Sequence, residues 1–153
     1  SNNGRGVISW AGSNLATVSA TGGGDISITG TASTNTTQAV SINFTNIYAD
    51  GGAITIAGGA KQVAFGETGA NNIGGEALST DAGDITVRAD SISIAATAGS
   101  AAFKNASKLS LISDGVRFSS AQTLGAGASV NNIGSLLFWG TPPFTKSPAM
   151  CRN

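Results

Sequence analysis

The chain has 153 residues, of which 10% are charged, and eight Lys and Arg balance eight Asp and Glu. That balance excludes an electrostatic nucleic-acid or membrane-surface binder, which needs a basic excess to displace counterions. With no His and one Cys, Ser-His-Asp chemistry, a Cys-His nucleophile pair and multi-Cys zinc sites are excluded as well.

Twenty-two Gly, with abundant Ala, Ser, Thr and Asn, leave little room for helix, and unbranched helix formers such as Leu (7) and Glu (2) are scarce. The composition predicts an all-β fold of short strands and many turns. No apolar run approaches the about 18 residues of a membrane-spanning helix, so no membrane insertion is expected. Ser1 opens no signal-peptide pattern, as expected of a mature chain or a piece of a longer one. Cys151 has no second cysteine to pair with inside the chain.

In chain order, the first clear strand is Gly24-Asp25-Ile26-Ser27-Ile28-Thr29-Gly30, followed by a weaker one at Val40, Ile42 and Phe44. Gly52-Ala53-Ile54-Thr55-Ile56-Ala57-Gly58 repeats the first pattern, and Val63 with Phe65 follows it. The third copy is Gly83-Asp84-Ile85-Thr86-Val87-Arg88-Ala89, followed by strands at Ile92 and Ile94, Leu109 and Leu111, and Val116 and Phe118. Each clear copy alternates apolar and polar residues. A strand then carries Ile26, Ile28, Ile54, Ile56, Ile85 and Val87 on its inner face, with Ser27, Thr55 and Thr86 outward. Counted from Ile to Ile, the copies lie 28 and 31 residues apart. Asn71-Asn72-Ile73-Gly74 returns as Asn131-Asn132-Ile133-Gly134 about 60 residues on.

Imperfect repeats of this length, each with two or three short strands, predict a solenoid. Each strand has too narrow an apolar stripe to bury itself, and stacking equivalent strands about 4.8 Å apart builds continuous apolar ladders. Roughly six rungs would make a rod roughly 30 Å long. A β-sandwich is the competing fold. Against it stand the absence of two-residue Asn-Gly or Asp-Gly hairpin turns, the long spacing, and the recurrence of like residues at like positions. The predicted organisation is a parallel β-helix over residues 1–139, ending in the strand around Leu136, Leu137, Phe138 and Trp139. Residues 140–153, which contain all three prolines, form an extended tail.

Gly23-Gly24-Asp25-Ile26-Ser27-Ile28-Thr29-Gly30 and Ala82-Gly83-Asp84-Ile85-Thr86-Val87-Arg88-Ala89 resemble the shaft repeats of filamentous haemagglutinin-type exoproteins, with their runs of the form G-G-D-I-T-[IVL]-x-[AG]. These are adhesins exported by two-partner, type V secretion in Gram-negative bacteria. The likeness covers roughly residues 7–118. It implies a right-handed parallel β-helix, a secreted or cell-surface location, and an adhesive or shaft role with a host-surface glycan or protein as partner. The Asn-Pro-Asn-Gly type motif of the family's secretion domain and an Arg-Gly-Asp triplet are both absent, so no binding residues carry over.

An alternative comes from another class. Parallel β-helices also host polysaccharide lyases and glycoside hydrolases, whose chemistry needs paired carboxylates. Candidates for that role are Glu67, Glu76, Asp81 and Asp84. Asp25 and Asp84 share one slot just after the corner glycine, which favours capping of turn N–H groups over catalysis. The regular Gly-Gly-x-Gly-x-Asp of calcium-binding repeats is missing, and no metal or other cofactor is expected. Acceptor sequences for N-glycosylation begin at Asn35, Asn43 and Asn105, about as many as chance supplies.

The ends of a solenoid expose unpaired strand edges that template further strands. Residues 1–6 are too short to cap a coil. The apolar cluster Leu136, Leu137, Phe138 and Trp139, with Phe144 beyond it, either covers the last rung or docks on another molecule. End-to-end self-association through these residues is therefore expected.

Overall fold

The alternating segments pair side by side in one direction. The computed structural model describes residues 4–10, 14–66, 69–75, 81–94, 101–113, 122–123, 128–139 and 144–145. In chain order its strands are β1 (Val7–Trp10), β2 (Ala16–Ala20), β3 (Ile26–Thr29), β4 (Gln38–Asn43), β5 (Thr45–Ala49) and β6 (Ile54–Phe65). There follow β7 (Asn71–Gly74), β8 (Ala82–Ile94), β9 (Ala101–Ser113), β10 (Gln122–Thr123), β11 (Ala128–Trp139) and β12 (Phe144–Thr145). No helix occurs among the described residues.

Ten strands form one hydrogen-bonded sheet that closes on itself as a coil with three faces. On the first face β1, β4 and the ends of β6 and β8 stack, with Val7, Val40, Val63 and Ile92 in register. The chain thus completes three full turns between Val7 and Ile92. On the second face Val18, Ile47, Ile73, Phe103 and Val130 line up through β2, β5, β7, β9 and β11. On the third, Ile26, Ile54, Ile85, Leu109 and Leu136 do the same through β3, β6, β8, β9 and β11.

Every pairing is parallel, which makes the fold a β-solenoid and removes the sandwich, whose sheets are antiparallel. The six-rung expectation is corrected. The described ladders hold four, five and five strands, and five strands span only about 19 Å at 4.8 Å per step. Successive coils consume 33, 23 and 29 residues along the Val7 ladder, because the corners differ in length and strand count does not translate into rungs.

The inward column is apolar and buried. Ile54, Ile56, Ile85 and Val87 are fully buried and Ile26 nearly so, while Ile28, in the first coil, is half-buried against the same core. The rings of Phe65 and Phe103, on different faces of successive coils, meet edge to face with centroids 5.7 Å apart. On the outward side Ser27 is exposed, and Thr55 and Thr86 are half-buried.

One inner corner is polar. There Ser9 and Thr45 hydroxyls bond one another, Thr45 N–H donates to Asn71 Oδ1 at 3.1 Å, and Asn71 Nδ2 donates to Gly69 O at 3.2 Å. These bonds satisfy buried polar groups that a β-helix corner would otherwise strand in the core. Phe44, expected within a strand, instead makes this corner with φ of 51°, and β5 begins at the next residue.

Val116 and Phe118 lie outside the described residues. Of residues 140–153, Phe144 and Thr145 form β12, which pairs in parallel with β10.

Candidate functional site

The described acidic candidates, Asp81 and Asp84, fall with Asp25 at one corner, between the second and third faces. Register places Asp25, Ala53 and Asp84 at equivalent positions of successive coils, each one residue before the stacked Ile26, Ile54 and Ile85. Asp25 Oδ1 accepts the Ala53 N–H at 2.8 Å, so this carboxylate caps the next coil as the repeat slot predicted. Asp84 pairs with Lys108 in the coil after it, Nζ to Oδ2 2.8 Å, with both side chains 40–47% exposed. Asp81 is exposed, and its backbone carbonyl accepts Gly51 N–H at 3.1 Å. Asp50 occupies the slot of Asp81 one coil earlier, a neighbour that Asp50-Gly51-Gly52 beside Asp81-Ala82-Gly83 already signalled in the sequence. Glu67 and Glu76 lie outside the described residues. Among the described residues, no three His, Cys, Asp or Glu come together in a way that could hold a metal ion.

The second face is chemically richer. Alternation turns Ile47, Ile73 and Phe103 inward, so their neighbours point out. One outward row runs Thr17, Asn46, Asn72 and Ala102, and the next runs Ser19, Tyr48, Gly74, Lys104 and Asn131. Asn72 Nδ2 donates to Asn46 Oδ1 at 2.8 Å, an amide pair one coil step long. Gly74 leaves a notch in the second row, and the Lys104 side chain crosses it to bring Nζ 6.0 Å from the centre of the Tyr48 ring. A Cβ at Gly74 would come within 1.7 Å of Lys104 O, so only glycine can stand between them.

This surface offers amide and hydroxyl donors and acceptors at the strand spacing, with one aromatic ring and one ammonium. It can make many weak hydrogen bonds to a polyhydroxylated chain. It carries no carboxylate, and no imidazole to activate its hydroxyls.

Of the self-association residues, Leu136 packs half-buried against the core and Leu137 points outward, 43% exposed. Phe138 and Trp139 complete β11, paired with Leu111 and Ile112, and Phe144 pairs with Gln122. The cluster from Leu136 to Trp139 is thus a strand of the last described coil. The Asn-Asn-Ile-Gly recurrence is not a structural repeat. Ile73 stacks with Phe103 and Val130, whereas Ile133 stacks with Ala106, three positions farther along.

No protein-family model, curated protein or solved structure matches the chain. The class is therefore defined by its own coil: a parallel β-solenoid with an amide- and hydroxyl-rich outer face.

Proposed function

We propose that the protein is a structural and adhesive surface module, a β-helical shaft segment of a secreted exoprotein like filamentous haemagglutinin. In this reading it works outside the cell or at the bacterial cell surface, and its partner is a host-surface glycan or protein. The observation that carries the reading is the second face: Asn46, Asn72, Tyr48 and Lys104 form a continuous polar surface on a rigid ladder. The repeated acidic slot supports it, since Asp25 and Asp84 bind neighbouring coils to one another.

Binding to immobilised glycans tests the reading. Tyr48→Ala combined with Lys104→Ala should weaken binding severalfold while the β-sheet circular dichroism stays unchanged. The same preparation incubated with pectin-like and other polysaccharides should release no new reducing ends. Release that Glu67→Gln or Asp84→Asn abolishes would overturn the adhesive reading in favour of the carbohydrate-active enzyme.

A further inference from the structure

Asn46 and Asn72 hold each other in one orientation. They are register partners on neighbouring coils, both half-buried, and Asn72 Nδ2 donates to Asn46 Oδ1 at 2.8 Å. That bond leaves Asn46 Nδ2 as a donor and Asn72 Oδ1 as an acceptor, one coil step apart. Among the described residues neither atom has another hydrogen-bond partner. The pair therefore offers a fixed donor and a fixed acceptor to whatever lies on it, with the ordering already done.

The surroundings shape this pair into a shelf. Thr17 and Ala102 continue its row with short side chains on the coils before and after. Two residues along the strands, about 6.6 Å away, the longer side chains of Tyr48 and Lys104 form a rail. The Lys104 ammonium reaches back across two coil steps to lie 6.0 Å from the centre of the Tyr48 ring, so the rail runs along the coil axis beside the row. No carboxylate stands on either row.

We infer that the second face holds an extended, uncharged β-1,4-linked polysaccharide chain along the coil axis, one sugar per coil. Such a chain advances by about 5 Å per sugar, close to the strand spacing of about 4.8 Å, and each of its hydroxyls both gives and takes a hydrogen bond. Successive sugars then meet Asn46 Nδ2 and Asn72 Oδ1, while Tyr48 and Lys104 flank the chain. The row from Thr17 to Ala102 spans four coils, which sets the length held at about four sugars. An α-1,4-linked chain coils and cannot keep its hydroxyls in a straight line over the row. The inference rests on the adhesive reading above and gives it a ligand class and an orientation.

Titration calorimetry with cello- and chito-oligosaccharides of two to six sugars tests it. Affinity should rise with each sugar up to about four and then level off, and molar salt should change it little, because no ion pair forms. Malto-oligosaccharides of equal length, which are α-linked, should bind severalfold more weakly. Ala102→Asn adds an amide to the row and should tighten binding about threefold or more, whereas Thr55→Asn on the third face should leave it unchanged. Asn72→Ala removes the acceptor and releases Asn46, and should weaken binding about threefold or more with the circular dichroism unaltered. Affinity that does not depend on chain length, or equal effects of Ala102→Asn and Thr55→Asn, would overturn the axial arrangement. Binding confined to acidic polysaccharides and lost in molar salt would overturn it too, since the charge of Lys104 would then select the ligand. Capture by other immobilised glycans, with no binding of these oligosaccharides, would overturn this inference and leave the adhesive reading standing. A protein that takes up no glycan of any kind would overturn both.

Discussion

Asn132 donates its side-chain N–H to Oδ1 of Asn105, one coil earlier, at 3.1 Å. Asn105 in turn donates to the carbonyl of Gly75 in the coil before that, at 3.3 Å. Both asparagines have left-handed backbones, with φ of 53° and 54°, and both turn the corner between the second and third faces. The corner thus needs a residue that tolerates positive φ and carries an amide to bridge coils. Asparagine alone meets both needs.

Asn105→Ala should therefore cost about 2–3 kcal/mol, combining the left-handed penalty with two lost hydrogen bonds. Asn105→Gly relieves the backbone but not the bonds, and should cost about 1 kcal/mol less. Urea unfolding of the three proteins checks the order. Equal losses for Ala and Gly would show that the backbone conformation carries none of the cost.

The inner ladder makes a second prediction. Ile54 is fully buried between Ile26 and Ile85, whereas Thr55 beside it points out and is half-buried. Ile54→Ala should cost about 2–5 kcal/mol, the range for a cavity in a packed core. Thr55→Ala should cost under about 1 kcal/mol, since its hydroxyl lies on the solvent side. Similar shifts in unfolding midpoint would contradict the inside-outside assignment.

How far the sequence discloses this fold depends on the kind of position. Ile26, Ile54 and Ile85 could be aligned from the repeated Gly-x-Ile-x-Ile or Gly-x-Ile-x-Val pattern alone, since period two and a flanking corner glycine mark a buried strand. The capping role of Asp25 was legible for the same reason. Corners were not. Their lengths vary from coil to coil, so the rung count and the setting of Asn131-Asn132-Ile133-Gly134 came out differently from the spacing. The outer face was the least legible part. Tyr48 and Lys104 lie 56 residues apart, and their approach depends on the intervening Gly74, which only the register reveals.

Gly74 yields a third prediction, made sharp by contrast with Gly22. Both have positive φ, 140° and 67°, but a Cβ at Gly74 meets Lys104 O at 1.7 Å, while one at Gly22 meets nothing within 4 Å. Gly22→Ala should therefore cost only the conformational penalty, about 1–2 kcal/mol. Gly74→Ala must also push two coils apart, breaking ladder bonds on the second face. Its loss should exceed that of Gly22→Ala by about 2 kcal/mol or more, read as lower thermal midpoint and faster hydrogen exchange in β7 and β9.

The shared slot of Asp25 and Asp84 separates two ways in which one side chain can hold coils together. Asp84 meets Lys108 as an ion pair with both partners substantially exposed, so water already screens most of its Coulomb energy. Asp25 accepts a backbone N–H from Ala53, a charge-assisted bond at a fixed donor. Asp84→Asn should change stability by under about 1 kcal/mol, and molar salt should erase the difference. Asp25→Ala should cost about 1 kcal/mol, because the Ala53 N–H then keeps only water as its acceptor. Most of that cost should persist in salt. A double-mutant cycle over Asp84 and Lys108, set beside Asp25→Ala at low and high ionic strength, measures both terms. A coupling for Asp84 and Lys108 that survives molar salt would show that the pair acts through a hydrogen bond like that of Asp25 rather than through its charge.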